Sequence, residues 1–148
     1  MANGSTILLV EDNEQDEVLT VRALKRHNIN NPIVITRDGE EALDYLFGRG
    51  KFEENGAAAK PHLILLDLKL PKVDGLQVLR EIRNNPITRS FPVVVLTTSK
   101  EDSDILTAYD LGTNAYVRKP VDFTEFSDAI RQLGLFWLLL NESAPVKI

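Results

Sequence analysis

The chain has no cysteine among its 148 residues, which excludes a disulfide framework and a thiolate metal site. This composition is compatible with a reducing compartment, and we expect the protein to be cytoplasmic. No basic segment followed by an apolar stretch opens the sequence, so no secretory signal is predicted. The longest apolar run, Leu133 to Leu140 counting Gly134, has eight residues, whereas roughly 20 are needed to span a bilayer. We therefore expect no membrane partner.

Net charge and chain length indicate which partners and how many domains to expect. The net charge of −5 argues against broad electrostatic binding of nucleic acid, and we expect no such partner. With 43% hydrophobic and 26% charged residues, the composition is that of a soluble globular protein. We expect residues 1–148 to form a single domain, because this length suits one hydrophobic core. Because only a short tail follows the last predicted helix, we expect no output domain.

Strand and helix patterns alternate along the chain. Short apolar runs predict five strands, at residues 6–10, 32–36, 62–66, 91–96 and 114–117. Apolar residues at three- and four-residue spacing predict five helices: 14 to about 27, a short one with Ala42, Leu43 and Leu46, 74 to about 84, 101–111 capped by Gly112, and a last one from Asp122 or Thr124. This order predicts a parallel sheet covered by helices on both faces. The polar loop from Gly48 to Pro61 is long for a compact domain.

Polar residues follow the predicted strands directly. They are Glu11 and Asp12, Asp67, Thr97 and Thr98, and Lys119. Because the carboxyl ends of parallel strands share one edge, three carboxylates should meet there and repel one another unless a cation lies among them. Hard oxygen ligands without histidine or cysteine indicate Mg²⁺. With a lysine and a threonine hydroxyl opposite, this arrangement suits phosphoryl transfer onto Asp67.

Each of these residues also has a purely structural interpretation. Asp67 could cap a turn, and Glu11 and Asp12 could favour the amino terminus of the first helix, where negative charge is stabilising. Lys119 could be a solvated loop cation. Tyr116 could simply pack at the sheet edge.

In its motifs the chain resembles the response-regulator receiver domain, the phosphoacceptor module of two-component signalling. The matching features are the pair Glu11–Asp12, the segment Asp67 … Pro71 … Asp74–Gly75, Thr97, Tyr116 and the dipeptide Lys119–Pro120. They are spread over most of the chain in the order of the family. The resemblance implies a flavodoxin-like, doubly wound five-stranded parallel sheet of order 2-1-3-4-5.

The resemblance also implies a role for each residue. Asp67 would accept a phosphoryl group from a histidine kinase, and Mg²⁺ would bind Glu11, Asp12, Asp67 and the backbone carbonyl of Lys69. Thr97 and Lys119 would contact the phosphoryl group. Tyr116 would rotate inward, repacking the face of the fourth helix, fifth strand and fifth helix. Such a protein is not an enzyme beyond its own Mg²⁺-dependent phosphorylation and slow dephosphorylation.

Some positions depart from the commonest family pattern. Glu11 stands where aspartate is frequent, and Thr98 stands where the family often has a smaller residue. Lys69 and Ser99 flank the site, and we predict that they tune the lifetime of the phosphoryl group. Asp74 and Gly75 are expected to build the turn into the third helix, with Asp74 near its amino-terminal cap.

The final helix is unusually apolar. Phe126, Ile130, Leu133, Trp137 and Leu140 recur at helical spacing and should face the core. Leu135, Phe136, Leu138 and Leu139 then fall on other faces, which predicts a homodimer through this helix, although a fully packed terminal helix is the alternative. The long loop and the Phe136–Trp137 pair resemble stand-alone regulators that partner phytochrome-type histidine kinases.

Two other classes compete with this interpretation. Phosphatase-like hydrolases with an aspartyl nucleophile resemble the chain at Asp67, but they usually carry a second acid where Lys69 stands. A nucleotide- or flavin-binding module would need a Gly-Lys-Ser/Thr phosphate loop or a glycine-rich turn after the first strand, and the sequence has neither.

Overall fold

A computed structural model describes residues 6–53, 61–119, 122–134 and 136–137. The strands are β1 (Ile7–Val10), β2 (Ile33–Thr36), β3 (Leu63–Leu66), β4 (Val93–Thr97) and β5 (Ala115–Arg118). The helices are α1 (Glu14–Arg26), α2 (Gly39–Phe47), α3 (Gly75–Asn84), α4 (Asp102–Asp110) and α5 (Phe123–Gly134). All strand pairs are parallel and their order is β2-β1-β3-β4-β5, as expected.

The sheet buries both of its faces, because successive side chains of a strand point to opposite sides. One set of strand residues packs with α2, α3 and α4, through Leu8, Val10, Ile64, Leu66, Val93 and Val95. The alternate set packs with α1 and α5, through Ile7, Leu9, Leu63, Leu65, Val94 and Leu96. This is the doubly wound arrangement, in which ligands bind outside the carboxyl ends of the strands.

Side-chain caps begin four of the helices that the structure describes, and at α5 the Asp122 side chain accepts from the amides of Thr124 and Glu125. Asn13 accepts a hydrogen bond from the backbone N–H of Asp16, and Asp38 caps α2 in the same way. Asp74 accepts from the N–H of Gln77, which confirms its predicted place at the start of α3. The end of α4 differs slightly from the prediction, since Leu111 is the cap residue and Gly112 follows it with a φ of +97°.

The other boundaries shift by one or two residues. The fourth strand begins at Val93, two residues later than predicted, because Pro92 has no N–H to give to the sheet. It extends to Thr97, whose carbonyl accepts from the Lys119 amide at 2.7 Å. The long loop after Gly48 is not wholly irregular, since residues 50–53 form a tight helical turn. Residues 54–60 of that loop lie outside the described residues.

The last helix packs as predicted where it is described. Phe126 and Ile130 are buried, and Leu133 and Trp137 pack against the same core cluster. Phe136 is 49% exposed. Leu135, Leu138, Leu139 and Leu140 lie outside the described residues. No helix in the part of the chain that the structure describes has the length and apolar character that crossing a bilayer requires.

At the amino-terminal edge of the sheet, Arg83 connects the segments that precede β4 and β5 with the end of α3. Its guanidinium donates to the carbonyls of Gly112, Arg89 and Phe91 at 2.8, 2.9 and 2.8 Å. It also donates to the side-chain oxygen of Asn114 at 2.8 Å. That oxygen accepts from the Val93 amide as well. The segment after α4 is thereby fixed to the end of α3 and the start of β4.

Candidate phosphoryl and metal site

The predicted acids meet at the carboxyl edge of the sheet. Glu11 and Asp12 follow β1, and Asp67 follows β3. Val10 lies opposite Leu66 in the parallel register, so the residues that come next emerge side by side. One carboxylate oxygen from each of Glu11, Asp12 and Asp67 lies within 4.8 Å of the others. Glu11 and Asp67 are buried, whereas Asp12 is exposed.

Backbone amides and one lysine orient Asp67. Its Oδ1 accepts hydrogen bonds from the amides of Leu68 at 2.7 Å and Lys69 at 3.4 Å. Its Oδ2 accepts from the Lys119 ammonium at 3.1 Å. Only 8% of the residue is exposed. The carboxylate is therefore held in one orientation by groups on two loops, which goes beyond what capping a turn requires.

Gly75 lets α3 approach the backbone of Asp67 closely. The Gly75 amide donates to the Leu68 carbonyl at 2.9 Å. A Cβ atom at this position would lie 2.1 Å from the Asp67 carbonyl oxygen. Any other residue would push the helix away from the acid, so glycine is required here by contact and not by a special φ.

Lys119 is a buried member of the site. Its side chain is 4% exposed, and its ammonium contacts Glu11 Oε1 at 2.5 Å, Asp16 Oδ2 at 2.9 Å and Asp67 Oδ2 at 3.1 Å. These contacts exclude the interpretation as a solvated loop cation. Pro120, its neighbour in the motif, lies outside the described residues.

Burial and charge shift the pKa values of the two most buried groups. Burial raises the pKa of Glu11 to about 7; the adjacent Lys119 ammonium opposes this rise, and the Asp67 carboxylate adds to it. For Lys119, burial disfavours the charged form, but the carboxylates of Asp67, Glu11 and Asp16 outweigh it and raise its pKa. The lysine is thus a fixed positive charge among the acids.

Sequence reasoning did not single out Asp16. This residue lies in the first turn of α1, four positions beyond Asp12, and its amide donates to the cap residue Asn13 at 3.0 Å. Its only signal in the sequence is its place in a turn that begins at the carboxyl edge. Whether that turn directs its carboxylate to Lys119 depends on how α1 is rotated on the sheet, which periodicity alone does not give.

Thr97, Tyr116 and Ser99 lie together beside the acids. Thr97 is fully buried at the end of β4, and its hydroxyl accepts from the Ser99 amide at 3.4 Å. The Tyr116 hydroxyl donates to the Ser99 carbonyl at 2.9 Å. Burial raises the pKa of Tyr116, which is partly buried against the core. Tyr116 thus combines packing with a polar contact to the loop after β4.

A cavity of about 570 Å³ opens beside these groups. Its lining includes Asp12, Asp16, Asp67, Lys69 and Thr98. Asp67 is therefore reachable from outside although little of it is exposed. The volume is sufficient for a phosphoryl group together with a side chain that delivers it.

The donor set fits a hard divalent cation. Three carboxylates converge and no histidine or cysteine joins them among the described residues. The simpler interpretation, that Glu11 and Asp12 only favour the start of α1, does not fit Glu11, which is buried beside Lys119. Asn13 supplies the cap instead.

Comparisons with known proteins agree with this geometry. A family model described as the response regulator receiver domain matches residues 7–131. The chain is 42% identical over 137 residues to Probable methanogenesis regulatory protein FilR2 of Methanothrix harundinacea, covering 93% of this chain and 86% of that protein. It is 41% identical over 132 residues to Response regulator Rcp1 of Synechocystis sp., covering 89% and 88%.

Solved structures give the same result. The phosphorylated cyanobacterial phytochrome response regulator RcpA superposes with a TM-score of 0.88 at 39% identity, covering 95% of this chain and 99% of that one. The Mn²⁺-bound form of Rcp1 superposes with a TM-score of 0.87 at 39% identity, with the same coverage.

Proposed function

Because the chain belongs to the response regulator receiver family of two-component signalling, we propose that it is switched by transfer of a phosphoryl group to Asp67. One observation carries this assignment. Asp67 lies at the carboxyl end of β3 with one oxygen fixed by backbone amides and the other on the buried Lys119. An acid oriented in this way next to a cavity is suited to attack an incoming group.

In the proposed step, an oxygen of the Asp67 carboxylate attacks the phosphorus of a phosphohistidine. A P–O bond forms as the P–N bond breaks, and the electron pair returns to the histidine nitrogen. Water later attacks the acyl phosphate, which releases inorganic phosphate and regenerates the carboxylate. This slow self-dephosphorylation is the catalysis that we assign to the chain.

Glu11, Asp12 and Asp67 would hold the metal, with the backbone carbonyl of Lys69 as a further ligand. We propose Mg²⁺, because carboxylate and carbonyl oxygens are the ligands it prefers. When bound, the ion supplies positive charge that neutralises the phosphoryl oxygens. Rcp1, whose Mn²⁺-bound form is known, is a relative that binds a divalent ion.

Thr97 and Lys119 would bind the phosphoryl group, and Tyr116 would change its position in response. Thr97 and Tyr116 both form hydrogen bonds with Ser99. The Thr97 hydroxyl accepts from the Ser99 amide, and the Tyr116 hydroxyl donates to the Ser99 carbonyl. A shift of Thr97 toward the new phosphoryl group would thus disturb the contact of Tyr116. The surface of α4, β5 and α5 would repack as a result.

We propose that the phosphoryl donor is a histidine kinase of the phytochrome type. The similarity to RcpA, a phytochrome response regulator, supports this choice. FilR2 is equally similar in sequence, and its name refers to methanogenesis regulation. The rates of phosphoryl transfer to this chain from a phytochrome kinase and from another histidine kinase would therefore distinguish the two kinds of donor. We place this exchange in the cytoplasm, with which a chain lacking cysteine is compatible.

We further propose that the chain forms a homodimer through the last helix. Phe136 supports this, because a large aromatic side chain is 49% exposed two residues beyond the end of α5. It contacts Trp137 edge to face, with ring centroids 5.0 Å apart. Trp137 itself packs against the core, so the Phe136 ring rests on a residue that is held in place.

The phosphoacceptor assignment is tested by incubation with Mg²⁺ and acetyl phosphate, followed by intact-protein mass measurement. Wild type should gain one phosphoryl group, and Asp67→Asn should gain none. Asp74→Asn is the matched control, because asparagine preserves the cap of α3 and this variant should be labelled like wild type. No label on wild type, or equal labelling of Asp67→Asn, would refute the assignment.

A further inference from the structure

The ammonium of Lys119 has three N–H donors, and three carboxylates accept from it. The distances are 2.5 Å to Glu11, 2.9 Å to Asp16 and 3.1 Å to Asp67. Asp16 is the partner that lies outside the metal-binding trio, since that trio consists of Glu11, Asp12 and Asp67.

The proposed function takes the other two partners away from the lysine. Glu11 would turn to the metal, and the Asp67 carboxylate would become an acyl phosphate. Asp16 has neither task, so it is the carboxylate that remains available to Lys119 before and after phosphorylation.

The backbone of Asp16 is well fixed. Its amide is bound by the cap residue Asn13, and its carbonyl accepts from the Thr20 hydroxyl at 2.8 Å. It belongs to the regular helix α1, which packs against α5 through Ala23 and Leu24. A carboxylate on such a support can hold an ammonium in one position.

We propose that Asp16 is a positioning residue, which holds the Lys119 ammonium where it contacts the phosphoryl group on Asp67. This inference rests on the proposed function. It deepens that function by adding a fourth acid whose task differs from metal binding.

Two physical effects of removing this acid have opposite signs. Neutralising a carboxylate beside an anion site strengthens anion binding if charge alone matters. If Asp16 positions the lysine, its neutralisation weakens anion binding, because the ammonium loses a charge-assisted hydrogen bond that restrains it. The direction of the change therefore distinguishes the two explanations.

The experiment is titration of beryllofluoride, an analogue of the phosphoryl group, in the presence of Mg²⁺. Asp16→Asn should bind it about tenfold more weakly than wild type, the size expected for one charge-assisted hydrogen bond. Asp16→Glu should recover most of the affinity, since it keeps the charge. Glu14→Gln makes the same charge change in the same turn at an exposed residue and should not weaken binding.

The outcomes separate the inference from the proposed function. If wild type does not bind beryllofluoride, the proposed function itself fails. If wild type binds it and Asp16→Asn binds equally or more tightly, the positioning role is refuted. Urea unfolding shows whether Asp16→Asn is folded. If it is not, Asp16→Ser replaces it in the titration, and we expect the same loss of beryllofluoride affinity.

Discussion

The Tyr116 hydroxyl donates a hydrogen bond to the backbone carbonyl of Ser99 at 2.9 Å, which ties β5 to the loop that follows β4. The Ser99 hydroxyl in turn donates to the Asp104 carboxylate in the first turn of α4 at 2.6 Å. The Ser99 amide contacts the Thr97 hydroxyl. One residue therefore connects the end of β4 with β5 and α4.

Tyr116→Phe removes this hydroxyl and keeps the ring. We expect it to lower the free energy of unfolding by about 1 kcal/mol, as for one hydrogen bond, and to reduce the response of α4 to beryllofluoride. Urea denaturation and the amide NMR shifts of α4 measure the two effects. Tyr109→Phe, at an exposed position on α4, should change neither. A full α4 response in Tyr116→Phe would show that the contact is not part of the switch.

Gly75→Ala places a methyl group against the Asp67 carbonyl, so α3 or the loop after β3 must move. We expect a loss of about 1–3 kcal/mol in the free energy of unfolding and slower phosphorylation by acetyl phosphate. Gln77→Ala, an exposed change in the first turn of the same helix, should leave both close to wild type. Phosphorylation of Gly75→Ala at the wild-type rate would show that the exact position of Asp67 matters little.

Glu41 gives a prediction about pH. Burial disfavours its charged form, but hydrogen bonds from Lys51 and from the Arg37 amide outweigh burial and hold its pKa below the ordinary value of 4.5. A lowered folded-state pKa means that the carboxylate stabilises the fold above the ordinary pKa. That contribution is lost as the pH falls through the folded-state value.

Glu41→Gln should therefore be about 1 kcal/mol less stable than wild type at neutral pH, and the difference should shrink as the pH falls below 4.5. Urea unfolding at a series of pH values measures it. Glu40→Gln, at an exposed neighbour, is the control and should show little difference at any pH. A difference that stays constant or grows toward acid pH contradicts the assignment.

Phe136→Asp tests the proposed dimer. Replacing an exposed aromatic ring with a charge should weaken self-association at least tenfold, because a buried unpaired carboxylate is costly at an apolar interface. Sedimentation over a range of concentrations measures this. Ile87→Asp, a similar change at an exposed residue between α3 and β4, should leave association unchanged. A monomeric wild type, phosphorylated or not, would rule out the dimer.

The sheet and the placement of Asp67 follow from local patterns. Short apolar runs alternating with amphipathic segments leave little choice of topology, and an acid after a buried strand must lie at the carboxyl edge. The ends of the elements depend on finer features. The start of β4 shifted because Pro92 cannot donate to its neighbour, and α4 began one residue after Glu101.

Contacts that depend on the relative rotation of elements were not predictable. Asp16 reaches Lys119 only because α1 presents its first turn to the end of β5, 103 residues away in sequence. The Tyr116 contact is with a backbone carbonyl, which leaves no trace in the residue types of the loop. Arg83 likewise binds three carbonyl groups, and its sequence surroundings suggest only an exposed helical residue.

The contacts of Arg83 have a mechanical consequence for α4. The helix is fixed at its far end, where Gly112 and Asn114 are bound to the guanidinium. Its near end is joined to the Ser99 hydroxyl through the Asp104 carboxylate and the Glu101 amide. A shift of Thr97 would then tilt α4 about its fixed carboxyl-terminal end, and the largest displacement would occur in its first turn. A partner that reads this motion should grip the first turn of α4 and not its last.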